Sequence, residues 1–300
     1  MNGGRPESIA QAQTGRTEAD VNTMKHHEYS RAGALFLVIL LGACMPSGEE
    51  EAELPTETQR RVLHEVFSGS NCGPCLEADA RLLDVLHANE GKYVLLSYQI
   101  GSDPYVTQEG VQRRMSYLPS DAESYSIPWV QADGDHGFHP NEINDDEGYG
   151  QANFDEFVAE PCALDLIVNH EVDGQTVDIE VTLTPLQDEP SEELSLHVAI
   201  IEGTTFENIG SNGQTEFHHV MKKMLPDHLG RPLDPLVRGE VVSITDSYTF
   251  QGDYDDDTSI SNAVNHEEAH TVEEFEDLSV VVFVQDEGTR QVHQSAWSGP

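Results

Sequence analysis

Basic residues are scarce in this chain of 300 residues. Lysine and arginine together number 15, against 55 aspartates and glutamates, which gives a formal net charge of −40. A surface with this charge repels phosphate backbones, so the composition argues against a nucleic-acid partner. The acids are spread along the chain rather than clustered, which favours a solvated acidic surface over a dedicated cation-binding one. The only four lysines are Lys25, Lys92, Lys222 and Lys223.

Cysteine is also rare, and the four that occur restrict the available chemistry. Cys72 and Cys75 form a CxxC motif, whereas Cys44 and Cys162 stand alone. A zinc site commonly needs a second CxxC or a pair of closely spaced histidines. No second CxxC occurs, which disfavours zinc at this motif and leaves a reactive dithiol and an inert structural disulfide as the main alternatives.

Long hydrophobic runs are absent apart from residues 32–41, which are too few to span a bilayer comfortably. Lys25 and Arg31 precede this run, and two small residues and Cys44 follow it. A basic region, a short apolar region and small residues, in that order, are typical of a secretory signal peptide. A buried helix with a chance cysteine would not explain the order.

The end of this segment, LGAC, resembles the lipobox of bacterial lipoproteins. The resemblance implies that residues 1–43 are a presequence and signal peptide and that Cys44 is lipidated. Residues 44–58 are polar with Pro and Gly, which predicts a flexible tether to the membrane. No Asp follows Cys44, so the resemblance favours outer-membrane anchoring, facing the periplasm or the surface. Disulfides persist in such an extracytoplasmic compartment.

Residues 59–160 are predicted to form an α/β domain. Short apolar runs with β propensity alternate with segments of helical periodicity. The predicted order is a strand at 61–67, a helix from Cys72, a central strand at 93–100, a helix at 106–118 and a strand after Ile127-Pro128.

A CxxC motif that follows a strand and opens a helix suits thiol chemistry. The nucleophile is a thiolate, and the free N–H groups and dipole of a helix N-terminus stabilise it. Pro74 is tolerated in the first turn, where no N–H is needed. In this arrangement Cys72 would attack a disulfide and Cys75 would resolve the mixed disulfide.

These residues resemble the thioredoxin superfamily. Cys72-Gly73-Pro74-Cys75 is identical to the motif of thioredoxin, and Phe67 matches the aromatic five positions earlier. The resemblance implies a cis peptide bond at Ile127-Pro128, with both residues facing the cysteines and docking substrate.

The chain also departs from the thioredoxin pattern. Val66 stands where thioredoxin carries a buried acid, and Asn71 replaces the usual Trp. Strand alternation points the neighbouring Glu65 to the opposite face. The proton acceptor for Cys75 is therefore missing from its usual place.

Residues 161–300 are predicted to form an all-β domain. Apolar and polar residues alternate in several short segments, which favours a β-sandwich. One segment differs, because Phe217, Val220, Met221, Met224 and Leu225 fall at helical spacing before Pro226. The spacing predicts a short amphipathic helix there, with the methionines in the core.

The whole arrangement resembles the outer-membrane lipoprotein family Omp28. The residues that carry the resemblance are EVFSGSNCGPC at 65–75, GSNGQTEFHHVMKKML at 210–225 and VVFVQDEGTRQV at 281–292. It implies a thioredoxin-like domain followed by a β domain, in the cell envelope.

Three other motifs suggest sites that their context disfavours. His266 and His270 lie in an HExxH sequence, but only thirty residues follow it and they have strand character. Asp253, Asp255 and Asp257 alternate like the start of a calcium loop, without its Gly and closing Glu. Cys162 is expected to be a small buried residue rather than a third redox thiol.

Two functions are consistent with the sequence. The first is a lipid-anchored thiol–disulfide oxidoreductase that acts on cysteines of proteins or peptides, with no cofactor and no metal. The alternative is a non-catalytic surface lipoprotein whose thioredoxin fold serves binding or adhesion.

Overall fold

The computed structural model describes residues 53–140, 149–188, 193–255 and 263–299, which all belong to one compact unit. Cys44, the predicted presequence and most of the predicted tether lie outside the described residues. Among the described helices, none is long and apolar enough to cross a membrane. The helices are α1 (Cys75–His87), α2 (Gln108–Ser116) and α3 (Gln151–Val158), with a 3₁₀ turn at Phe275–Asp277.

The described strands are numbered in chain order. They are β1 (Val62–Ser68), β2 (Tyr93–Gln99), β3 (Trp129–Ala132), β4 (His136–Phe138), β5 (Leu164–Asp173), β6 (Thr176–Pro185), β7 (Leu194–Thr205), β8 (Phe217–Leu225), β9 (Arg231–Pro232), β10 (Val242–Thr249), β11 (Asp253–Tyr254), β12 (Ala269–His270), β13 (Leu278–Asp286) and β14 (Val292–Trp297).

A mixed nine-stranded sheet organises the fold. Its order is β14-β13-β7-β8-β2-β1-β3-β4, with β9 paired to β7. Strands β1 and β2 are parallel, whereas β3 runs antiparallel to β1. The mixed α/β class is as predicted. The predicted segments 59–160 and 161–300 share this sheet, because β8 pairs with β2, so a separate β-sandwich is not confirmed.

The two faces of the large sheet bury different layers. On one face, α1 and α3 cover the β1 region, and the three-stranded sheet β10-β6-β5 covers β7 and β13. On the other face, α2 packs beside Phe67 and Tyr98. Strand alternation produces this division, since Val66 joins the α1 side and Phe67 the α2 side.

The helix predicted around Met221 is wrong, because Phe217–Leu225 forms strand β8. This strand lies between β7 and β2 and is buried on both faces, so its apolar residues need not alternate strictly. The pairing with β7 also shifts register between Ile200 and Ile201, and an extra residue at such a bulge disrupts the period of two. The methionines do lie in the core, as predicted.

Candidate functional site

The CxxC motif forms the turn between β1 and α1. Cys72 and Cys75 are joined by a disulfide with an S–S distance of 2.01 Å and a Cα–Cα distance of 5.4 Å. Cys75 is the first residue of α1 and is fully buried, whereas Cys72 is half-buried. The helix therefore begins three residues later than predicted, with Pro74 at the N-cap position. Cys72 is therefore partly open to solvent, whereas Cys75 is sheltered.

Backbone contacts hold the turn that presents Cys72. The Asp103 carboxylate accepts the Ser70 N–H at 2.8 Å and the Tyr105 N–H at 2.8 Å. Gly69 packs so closely on the residue after β2 that an added Cβ would lie 2.5 Å from the Ile100 carbonyl oxygen. The segment that leads to Cys72 is therefore positioned by the end of β2, which lies beside β1 because the two strands pair in parallel.

The N-terminus of α1 suits a thiolate at Cys72. No side chain caps the helix, although the N–H of Cys75, its first residue, donates to the Cys72 carbonyl oxygen at 3.2 Å. The N–H groups of the first helical turn and the helix dipole stabilise negative charge at that end. The same effect lowers the pKa of cysteines at helix N-termini in general.

Pro128 lies beside the end of β1. Phe67 pairs with Trp129 in the antiparallel ladder, so the next residue outward, Pro128, comes opposite Ser68. The peptide bond between Ile127 and Pro128 is cis, as the thioredoxin resemblance implies. Both predicted docking residues are therefore adjacent to the segment that leads into the CxxC turn.

Glu65 belongs to a buried hydrogen-bond network on the face of the sheet opposite α1. Arg113 donates from Nε to Oε1 at 2.8 Å and from Nη2 to Oε2 at 3.0 Å, and Tyr98 donates to Oε1 at 2.7 Å. Tyr117 donates to the same carboxylate. Burial raises the pKa of Glu65, but the Arg113 charge and these hydrogen bonds outweigh it and hold the pKa below its ordinary value. Glu65 faces α2, as strand alternation predicts, whereas Val66 packs among residues of α1.

A second acid, which the sequence interpretation missed, lies on α1. Asp79 follows Cys75 by one helical turn, and its Oδ2 accepts the Ser68 hydroxyl at 2.8 Å. Its Oδ1 is buried and accepts no hydrogen bond from the described residues. Burial raises the pKa of Asp79 to about 6, against the opposing hydrogen bonds of Ser68 and Gln214. The signal in the sequence was the spacing of four residues from Cys75, which places both side chains on one helix face.

The loop before β8, residues 210–214, packs on the CxxC turn. The Ser211 N–H donates to Asn71 Oδ1 at 2.9 Å, and the Asn212 N–H donates to the Ser70 carbonyl at 3.0 Å. The Asn212 side-chain amide donates to the Cys72 carbonyl at 3.2 Å. An added Cβ on Gly210 would lie 2.4 Å from the Ser70 carbonyl carbon. Asn71, which stands where thioredoxin carries a Trp, therefore holds this loop through its side-chain oxygen.

Comparison with solved structures supports the fold. HBP35 of Porphyromonas gingivalis aligns over 81% of this chain and 76% of its own, with a TM-score of 0.60 and 12% identity. This likeness concerns the fold alone. A protein from Agrobacterium tumefaciens aligns over 80% of this chain and 95% of its own, at 14% identity and a TM-score of 0.49.

An outer-membrane lipoprotein Omp28 domain from Porphyromonas gingivalis is also among the structural neighbours. It covers 46% of this chain and 88% of its own, at 16% identity and a TM-score of 0.28. No protein-family model matches the sequence. No curated protein matches it either.

The HExxH histidines do not share a helix face. Residues 266–268 form a turn and His270 lies in strand β12. His266 Nε2 lies 3.4 Å from Glu109, whereas His270 Nε2 lies 3.0 Å from the Gln175 amide. Within the described ranges, no group of three metal-binding side chains comes together.

The remaining sequence candidates are separate from the CxxC turn. Asp253 lies in β11, the Asp255 N–H donates to the His270 carbonyl, and Asp257 lies outside the described residues. Cys162 is 1% exposed, and its sulfur lies 3.3 Å from the Leu164 carbonyl oxygen and 3.4 Å from that of His293. It is buried as expected, and burial raises the pKa of its thiol.

Proposed function

We propose that this chain is a thiol–disulfide oxidoreductase acting on cysteines of proteins or peptides. The observation that carries the proposal is the unequal exposure of the disulfide at the start of α1. A half-buried Cys72 is accessible to a second sulfur, and a fully buried Cys75 is accessible to Cys72 alone. This asymmetry is what an attacking and a resolving thiol require.

The reaction follows from the positions of the two sulfurs. In the reduced pair, the Cys72 thiolate attacks a substrate disulfide, forms a mixed disulfide and releases one substrate thiolate. The Cys75 sulfur then attacks Cys72 and releases the second substrate sulfur, so that the substrate is reduced and the pair is oxidised. A small thiol or a dithiol protein returns the pair to its reduced form, and the same steps in reverse would oxidise a substrate.

The neighbouring residues have supporting roles in this proposal. The uncapped N-terminus of α1 stabilises the Cys72 thiolate. Ile127 and Pro128 flank the end of β1 and dock the substrate segment next to Cys72. We further propose that lipid on Cys44 anchors the protein in the cell envelope, at the outer membrane, where its substrates would be exported proteins.

One observation favours the alternative of a non-catalytic envelope protein that uses this fold for binding or adhesion. Val66 occupies the strand position of the acid in thioredoxin and packs among apolar residues. If no other group exchanges protons with Cys75, the resolving step is slow and the pair acts as a structural disulfide.

Insulin reduction and substrate trapping distinguish the two functions. The full chain, purified in detergent and reduced with dithiothreitol, is expected to catalyse insulin reduction, and Cys72→Ser is expected to abolish it. Cys75→Ser is expected to retain mixed disulfides with envelope proteins, since the resolving sulfur is gone. Cys162→Ser is the matched control. An inactive wild type and an empty trap would refute the oxidoreductase proposal.

A further inference from the structure

The buried thiol of Cys75 needs a partner for its proton. A thiol attacks only as its thiolate, and full burial of Cys75 separates it from bulk water. Val66 cannot accept a proton, and the Glu65 carboxylate is engaged by Arg113 on the opposite face of the sheet. Neither residue can therefore serve as the acceptor.

Asp79 has the position that this role requires. Residues four apart on a helix have Cβ atoms about 5–6 Å apart, and each side chain leans toward the N-terminus of the helix, so Asp79 leans toward Cys75. Ser68 fixes one carboxylate oxygen at 2.8 Å and leaves the buried Oδ1 without a hydrogen bond. A buried carboxylate oxygen without a donor is costly, so its retention calls for an explanation.

Asp79 lines a small cleft. The cleft has a volume of about 30 Å³, enough for a water molecule, and its polar lining comes from Ser68, Asp79, Ser97, Gln99, Gln214 and His218. Gln214 Nε2 lies 3.5 Å from Asp79 Oδ2. The Asp79 residue is itself half-buried, so a proton that it takes up can pass to water.

We propose that the Asp79 carboxylate accepts the proton of Cys75 in the resolving step and returns it in the reverse direction. This role rests on the proposed oxidoreductase function. As Cys75 attacks, the Cys75–Cys72 sulfur bond forms and the bond from Cys72 to the substrate sulfur breaks. The proton of Cys75 passes to Asp79 and then to water, and the substrate leaves as a thiolate.

The other ionisable groups lining the clefts around Asp79 are His218 and Glu216. His218 Nε2 and Glu216 Oε1 lie 3.9 Å apart; His218 belongs to β8, and Glu216 is the residue before it. A carboxylate of raised pKa beside a thiol is suited to proton exchange, since a transfer group works best when its pKa lies near the ambient pH.

The test separates the two sulfur steps. Reduced protein carrying Cys44→Ala and Cys162→Ala is mixed with the aromatic disulfide dithiobis(nitrobenzoate), whose thiolate product is coloured. The first equivalent reports attack by Cys72, and the second reports resolution by Cys75. In Asp79→Asn we expect an unchanged first phase and a second phase slowed about 10²-fold at pH 7.

The pH profile distinguishes proton transfer from a structural effect. In the wild type the second phase slows below about pH 6 as Asp79 becomes protonated, and Asp79→Asn lacks this dependence. Asp84→Asn, the same change at an exposed position of α1, is expected to behave as the wild type. His218→Gln and Glu216→Gln are expected to retain the fast second phase.

The possible outcomes separate the two proposals. A fast second phase in Asp79→Asn, or a slow one with an unchanged pH profile, overturns the role of Asp79 and leaves the oxidoreductase function standing. Absence of a first phase in the wild type refutes the oxidoreductase function itself. Asp79→Asn is expected to fold, because it keeps the hydrogen bond from Ser68 and removes a buried charge.

Discussion

Replacing Arg113 with methionine would measure how strongly α2 is held to the large sheet. Arg113 is 1% exposed and its partner Glu65 is fully buried, and the side chain of Arg113 also donates to Gln285 of β13 at 2.8 Å. Methionine occupies much of the alkyl volume, so the main loss is the charge that compensates Glu65. The pair therefore joins β1, α2 and β13 through one guanidinium group.

The expected loss in the free energy of unfolding is about 3 kcal/mol. Removing one partner of a buried ion pair costs about 3–5 kcal/mol, and the hydroxyls of Tyr98 and Tyr117 still donate to Glu65, which favours the lower end. In urea unfolding followed by circular dichroism, this corresponds to a midpoint lowered by about 1 M. The double variant Glu65→Leu/Arg113→Met should recover at least half of the loss, because no buried charge remains.

The loss should depend on pH with a defined sign. In the wild type the pKa of Glu65 is lowered. The stability that ionised Glu65 contributes is therefore present above its unfolded-state pKa and is lost as the pH falls through its folded-state pKa. Without Arg113, burial raises the pKa of Glu65, and protonation then stabilises the variant as the pH falls. The difference between the proteins should narrow from pH 7 to pH 4. A loss below about 1 kcal/mol, or one that is the same at both pH values, would refute this reasoning.

Three further predictions test the site and its supports. Gly210→Val should displace the 210–214 loop from the CxxC turn, because the added side chain would clash with the Ser70 carbonyl group. Iodoacetamide should then alkylate reduced Cys72 faster, and an unchanged rate would contradict the packing of this loop. Gly134→Ala should lower the free energy of unfolding, measured in urea, by more than about 2 kcal/mol, because its φ is +81° and an added Cβ would lie 2.0 Å from a carbonyl oxygen. Gly174→Ala also has a positive φ but open space around the added Cβ, so it should lower the free energy of unfolding by about 1 kcal/mol. Asp79→Asn should be more stable than the wild type by about 2–3 kcal/mol at pH 7 and nearly equal to it near pH 4. The cost of ionising Asp79 in the folded protein develops as the pH rises from the ordinary pKa of an aspartate, about 4, to the raised pKa of about 6, and it is fully present above that; equal stability at both pH values would count against its burial.

Local patterns were sufficient for the elements around the cysteines. The apolar run at 93–100 corresponds to β2 (Tyr93–Gln99), and the periodic segment at 106–118 contains α2 (Gln108–Ser116). These elements follow from residue spacing that each segment carries by itself. The order of β1, CxxC and α1 is likewise readable along the chain, since the motif directly connects the two elements.

The same patterns failed where burial comes from distant strands. The apolar spacing of Phe217–Leu225 fits a helix, but its neighbours β7 and β2 bury both faces and make it a strand. Pairing partners of this kind lie far away in sequence, so no local period can reveal them. The β-sandwich predicted for 161–300 is not confirmed, and the pairing of β8 with β2 is likewise a contact that no local pattern reveals.

By itself, the sequence determined the chemistry available at the site: a CGPC motif at the start of a helix, Ile127-Pro128 beyond it, and no acid at position 66. Only the tertiary structure decided how that chemistry is surrounded. Pairing of β1 with β3 brings Pro128 beside Ser68, and packing of the 210–214 loop brings Gln214 over Asp79. Burial of Asp79 then raises its pKa toward the working range of a proton acceptor. Such burial depends on contacts between segments more than a hundred residues apart, and residue order alone does not contain them.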